Sequence, residues 1–409
     1  MADTRLAALK ASGVIIPVPD QVYIAEDVDL DRIEAGSVLH PGTRLSGTDL
    51  AIGPGSVIGS EGPVVLKDSQ IGSGVALGSG SFSRCTVLDG VDVGPGAHIR
   101  PGCLLEEGSS CAHSVGLKQT ILMPHVVLGS LINFCDCMMT GGTSRSDHSE
   151  VGSSYIHFNY TPHRDKATPS LMGDVPRGVM LDQPPIFLGG QGGIVGPVRI
   201  AYGTVLAAGT IHRRDVLEPG LLITGSAAPR ARPRPYQPGL YGNITRILTN
   251  NRTYLGNLHA LREWYRHVRV LFTAEPAARR CHAGALLRLD ELITERIKQL
   301  DRFVLRLTES LERARAEHPD GLPQSPYSLH EQFIAQWPNL RLWLQADATH
   351  EGSREQRQAF LDEAVTGSSY LDTIKQLTPA ARKTGTEWLQ GIVDELTSGS
   401  LGPARPTSS

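Results

Sequence analysis

Between Val87 and Leu117, one small or medium apolar residue recurs every six positions: Val87, Val93, Ile99, Leu105, Cys111 and Leu117. Gly and Pro sit just after several of these positions, as in GVDVGPGAHIRPG. A spacing of six fits neither the ~3.6 residues of a helical turn nor the simple alternation of one long strand. It fits short strands joined by tight turns, each flat side pointing one apolar side chain inward, which is the hexapeptide form of the parallel β-helix. Stacked turns of this kind bury a continuous core that no single turn could bury alone.

The register extends in both directions. It starts at Ile33 and passes through Leu39, Leu45, Ala51 and Val57, slips near Gly62-Pro63, and resumes at Val65, Ile71 and Leu77. It returns late, at Leu188, Ile194, Ile200 and Leu206, and fades after Leu222. Forty-four glycines against eight phenylalanines suit a thin, turn-rich solenoid. Between the two periodic parts lie a polar, Gly-rich interruption, TGGTSRSDHSEVG, and the Pro-rich stretch 160–186. The second is expected to leave the solenoid as a functional lid or specificity loop.

Around this core the chain divides simply. Residues 1–13 read as a short helix stopped by Gly13, 14–226 as the solenoid, 227–240 as an extended Pro/Arg-rich connector, 241–397 as an α-helical domain, and 398–409 as a disordered tail. In the helical part, Leu255, Leu258, Leu261, Tyr265, Val268 and Phe272 mark one amphipathic face. Leu289, Leu292, Ile293, Ile297, Leu300, Val304, Leu307 and Leu311 mark a longer one. Further helices are expected around 328–346, 353–365, 368–377 and 385–397.

The formal net charge of −3 gives no global field toward nucleic acid or an anionic membrane. The N-terminus lacks the apolar stretch of a signal peptide, no run is long enough to span a membrane, and a cytoplasmic setting is expected. The six cysteines show no CxxC pair and read as reduced packing thiols, with Cys135 and Cys137 on one face of a strand. No metal-ligand spacing is present.

Four segments in order, ALKASGVII, the IRPG of 99–102, VGSSYIHFNY (151–160) and LGGQGGIVGPVRIAYGTVLAAGT (188–210), resemble the acetyltransferase half of bacterial bifunctional N-acetylglucosamine-1-phosphate uridylyltransferases. The resemblance does not cover the C-terminal helices. It implies a left-handed parallel β-helix followed here by an α-helical domain, a homotrimer, and acetyl-CoA (or another acyl-CoA) in grooves between parallel solenoids. It also implies an amino sugar, sugar phosphate or nucleotide sugar as acceptor. No Gly-rich nucleotide loop precedes the solenoid, so nucleotidyl transfer is not expected. Arg100 and Lys118 match the family's phosphate-gripping cations, and Arg suits this through its planar fork. Asn159 and Tyr160 match its acceptor-contacting pair, and Lys166 is the counterpart of a further lysine. Ser153, Gly190 and Ala208 fall where the family keeps small residues against the cofactor.

The base is where the sequence departs. The family's histidine follows a glycine, and here the pair is Gly129-Ser130; a nearby tyrosine is replaced by Asn133, and an asparagine by Glu150. Acyl transfer still needs a group to take the acceptor's proton. His148, His157 and His163 cluster in sequence around the interruption and the excursion and are the expected substitutes, with Asp147, Glu150 and Asp165 to orient them. His113 and His125, on the periodic part, are weaker candidates. The alternative is a non-catalytic trimeric solenoid that binds a sugar nucleotide or a protein partner.

Overall fold

The computed structural model describes residues 2–159, 166–225, 236–319, 321–346, 350–364 and 369–397. A parallel β-solenoid occupies the N-terminal half and helices the C-terminal half. Helix α1 (Ala2–Ala11) ends at Gly13, whose φ of 95° is the left-handed conformation that closes a helix without steric cost. Each turn then visits three faces. The first is a ten-stranded sheet from Val38–Leu39 to Leu222–Ile223. The second and third belong to one sixteen-stranded sheet, because the strands Gly116–Leu122 and Asn133–Met139 continue around the corner between them. Gln119 (φ 50°) and Asp136 (φ 61°) make that corner.

The expected hexad residues fill the interior. Val87, Val93, Ile99, Leu105, Cys111 and Leu117 are all buried, as are Leu188, Ile194, Ile200 and Leu206. They stack in parallel register, for example Ile99 on Leu117 and Leu105 on Leu122. Early in the chain the register differs from the regular count. Ile52, Ile58 and Leu66 point inward, and not Ala51, Val57 and Val65; Val65 is 39% exposed. The corner Gly47–Leu50 holds an extra residue, which moves the inward position by one, and in a strand a one-residue shift exchanges inside for outside. At the far end Ile223 pairs with Leu206 while Leu222 is 65% exposed.

The third face carries a second apolar ladder on its outer side: Leu104, Ile121, Met138 and Leu171 lie side by side on successive turns. These four belong to the core of the helical region and not to that of the solenoid. Their neighbours Leu105, Leu122, Met139 and Met172 face inward, so doublets such as Leu104-Leu105 and Met138-Met139 serve two cores.

The helices cover this ladder. After α2 (Val175–Gly178), they are α3 (Thr245–His267), α4 (Pro276–Glu317), α5 (Gln324–Gln345), α6 (Arg354–Ala364), α7 (Tyr370–Lys375) and α8 (Pro379–Thr397). The 42-residue α4 buries Leu289, Leu292, Ile293, Ile297, Leu300 and Leu307 along its apolar stripe. Gly284 marks its closest approach: a Cβ there would stand 2.3 Å from Gln70 Oε1 and 2.7 Å from Thr86 Oγ1. A nearly fully buried ion pair, Arg296 to Asp136 at 2.7 Å, ties α4 to the corner between the second and third faces.

The stretch 160–186 departs from the expected loop. Residues 160–165 lie outside the described residues, but Ser170–Met172 is a regular solenoid strand paired with Cys137–Met139 and with Leu171 and Met172 set against Arg199 and Ile200. The rest is a ledge under the helices: Val175, Val179, Met180 and Leu181 join their core, and the Val175 N–H donates to Asn257 Oδ1 at 2.7 Å. Its prolines allow the departure; its apolar residues bring it onto α3 and α8.

Replacing Gly284 by Leu puts a branched side chain where the helix touches the sheet. The expected cost is about 1–3 kcal/mol, as for overpacking of a filled interface. It is read as a fall in the thermal midpoint and as earlier proteolytic release of the helical half.

Candidate functional site

Beyond α1 at its N-terminal end, no helix among the described residues packs on the second face, and its outer side carries two columns of residues. One runs through His98, Gly116, Asn133 and Ile156; the other through Arg100, Lys118, Cys135 and Phe158. Adjacent turns lie ~4.8 Å apart, so Arg100 and Lys118 are immediate neighbours. Both are half-buried, and Arg100 Nε is buried without a partner. Among the described residues neither makes an ion pair. Burial first, and the Asp136 carboxylate second, push the Cys135 thiol up to about 11, while Asn159, Lys118 and Arg100 pull it the other way. Cys135 stands next to Lys118 on the adjacent turn and two turns from Arg100, with Asn159 close to its thiol. Asn159 Oδ1 also accepts from Thr168 Oγ1 at 2.9 Å. Cys137 does not share this face. The left-handed Asp136 between the two cysteines turns Cys137 into the solenoid core.

The corner between the first and second faces is built from small residues. Gly129, Gly152 and Gly189 sit one per turn, where a Cβ would fall 2.9 Å from Ser153 N, 2.5 Å from Gly190 N and 2.3 Å from Ala208 N. The residues expected against the cofactor, Ser153, Gly190 and Ala208, therefore follow one another along a single edge. The same edge holds a polar chain. Ser130 N–H donates to Ser153 Oγ at 3.2 Å, and Ser130 Oγ lies 2.8 Å from His113 Nδ1. His113 is exposed. Sequence reasoning ranked it low; the signal was its offset of 17 residues from Ser130, close to one turn, which puts the two on one corner.

The three expected catalytic histidines are not brought together. His157 is buried and points into the solenoid, in an inward ladder position beside Ile194. Its Nε2 is 2.7 Å from Ser170 Oγ, and burial lowers its pKa to about 4 against the smaller opposing pull of the Cys135 backbone and Asn159. It is a core histidine, held neutral. His148 lies on an antiparallel hairpin (Gly142–Ser144 with Asp147–His148), at the corner between the third and first faces, with Nδ1 2.8 Å from Arg145 O and Nε2 3.9 Å from Glu150 Oε2. His163 and Tyr160, with Asp165, lie outside the described residues. Lys166 is exposed, beside Arg302, Arg306 and Glu309 of α4. Among the described residues no group of three or more His, Cys, Asp or Glu could hold a metal.

No family model matches the chain. Curated relatives do. It is 30% identical over 217 residues to the bifunctional protein GlmU of Geotalea uraniireducens, covering 53% of this chain and 42% of the relative. It is 29% identical over 216 residues to that of Trichlorobacter lovleyi, covering 53% and 42%. The Mycobacterium tuberculosis protein is 28% identical over 230 residues, covering 55% and 40%. The curated relatives of this chain are GlmU proteins. The resemblance read from the sequence is thus to the same proteins, and the chain spans less than half of their length. No described helix is long and apolar enough to cross a membrane.

His157 gives a pH test of its assignment to the core. Its pKa lies below the ~6.5 of an unfolded histidine, so the unfolded chain takes up the proton first. The contribution is fully present above about pH 6.5 and is lost as pH falls toward 4, by on the order of 3 kcal/mol. Denaturant unfolding of the wild-type and His157→Gln chains should show a smaller loss of stability across that window in the variant.

Proposed function

We propose that this chain is an acyl-CoA-dependent acyltransferase, with acetyl-CoA as donor and an anionic amino sugar such as glucosamine 1-phosphate as acceptor. The observation that carries the acceptor is the pair Arg100 and Lys118. Two cations on adjacent turns, without a carboxylate partner among the described residues, are a site for a phosphate. Asn159 and the exposed Asn133 offer amide groups to sugar hydroxyls from the same face. The corner of Ser153, Gly190 and Ala208 leaves the backbone open to a long ligand laid along the solenoid axis. The similarity to GlmU proteins supports the donor. Tyr160 and Lys166 complete the proposed acceptor set.

The second face also supports a homotrimer. Tyr23, Val65, Ile156, Phe158 and Ile211 stand exposed along it, each more than a third accessible. Among the described residues the helices after α1 pack on the third face, and of the two faces left the second carries Arg100 and Lys118, which another solenoid packed there would enclose in the groove between copies. Sizing by light scattering should give three copies, and Phe158→Asp should yield monomer with a folded far-ultraviolet spectrum.

Titration calorimetry with acetyl-CoA tests the donor; no heat at millimolar ligand would refute it. With glucosamine 1-phosphate as acceptor, Arg100→Ala and Lys118→Ala should each raise KM at least tenfold, about 1.4 kcal/mol or more of lost binding, and change kcat less. Equal KM in wild type and variants would remove the phosphate from this face.

A further inference from the structure

We propose that His113, held by Ser130, is the group that takes the acceptor's proton. The inference rests on the acyltransferase reading and adds the residue that reading lacks.

The geometry points to His113 by position and by orientation. The position is the edge shared by the first and second faces, one turn before Ser130 and two before Ser153. From that edge the way to Lys118 crosses Gly116, which has no side chain and leaves a notch between His98 and Asn133. The orientation comes from the 2.8 Å contact between His113 Nδ1 and Ser130 Oγ. With Nδ1–H donating to the serine oxygen, the tautomer the proposal takes, Nε2 keeps its lone pair on an exposed ring. Ser130 is itself placed, because its N–H donates to Ser153 Oγ. Its left-handed successor Leu131 makes the corner on which both sit.

Among the described residues, three other imidazoles near this face or expected as bases fail one requirement or the other. His157 is enclosed in the solenoid with Ser170. His148 is on another corner. His98 lies on the same face as Arg100 but makes no side-chain hydrogen bond among the described residues.

The step balances without a further reactant. The acceptor's amine nitrogen attacks the thioester carbonyl carbon, and a C–N bond forms. The C–S bond breaks and its electron pair leaves on the CoA sulfur. The proton lost by nitrogen passes to His113 Nε2 and from there to the thiolate, giving the amide and free CoA. Ser130 acts as a positioning residue that holds the ring through Nδ1.

The test uses the full chain, acetyl-CoA and glucosamine 1-phosphate. His113→Ala should lower kcat by about 10²- to 10⁴-fold. Acetyl-CoA affinity by calorimetry should be unchanged, and added imidazole should restore part of the rate. Ser130→Ala should lower kcat by about tenfold and leave KM in place. Nitrogen-15 spectra should show His113 as the Nδ1–H tautomer in the wild type and shifted toward Nε2–H in Ser130→Ala. A wild-type chain that binds no acetyl-CoA overturns the acyltransferase reading, and the base with it. Undiminished turnover by His113→Ala overturns the base alone. A wild-type His113 protonated at Nε2 in the resting protein overturns it whatever the acceptor.

Discussion

The structure depends on in-register stacking of inward side chains from turn to turn. A short strand of two or three residues cannot be stable alone; it persists because parallel neighbours on both sides share its hydrogen bonds and its buried side chain. This explains the tolerance of the fold. The extra residue at Gly47–Leu50 and the hairpin at 142–148 fall at corners, where they interrupt no ladder. It also explains the small residues at the edges. The line of Gly129, Gly152 and Gly189 brings backbones of successive turns closer than a Cβ permits.

Three faces built on one rule acquire different fates from their outer residues. The third face repeats an apolar residue outward at Leu104, Ile121, Met138 and Leu171, and so must be covered. Helices α3 and α4 and the ledge at 175–181 cover it. The second face alternates cations, amides and scattered apolar groups. On this face rest the proposed packing of a second solenoid and the proposed site for a charged ligand. The candidate site thus lies where the protein's own helices do not reach, though α4 comes to its margin through Arg296 and Asp136.

Much of this was legible in the residues. The hexads from Val87 to Leu117 and from Leu188 to Leu206 point inward as their spacing requires, because period alone decides side-chain direction in a regular coil. The helices beyond the connector follow from their apolar stripes. Arg100 and Lys118 are adjacent because residues about one turn apart in sequence are one turn apart in space, and Asn159 follows two turns on from Lys118, next to Phe158 of the same column. The failures share one cause. His148, His157 and His163 are close in sequence, but a coil scatters neighbours over three faces and both sides of each strand. Proximity in the chain therefore says little about proximity in the site. His157 in particular sits at an inward position that its polarity argued against, and Ser170 compensates it.

Sequence by itself determined the kind of object this is: a solenoid whose pitch is written as one buried residue in six, followed by amphipathic helices that need a surface. It could do so because local spacing and burial are properties of each turn. Tertiary structure alone decided which face receives the helices, that 170–181 is a strand and a ledge, and that His113 meets Ser130 across a corner. Those outcomes depend on where turns of unequal length bring their edges, a sum over many residues that no single repeat contains.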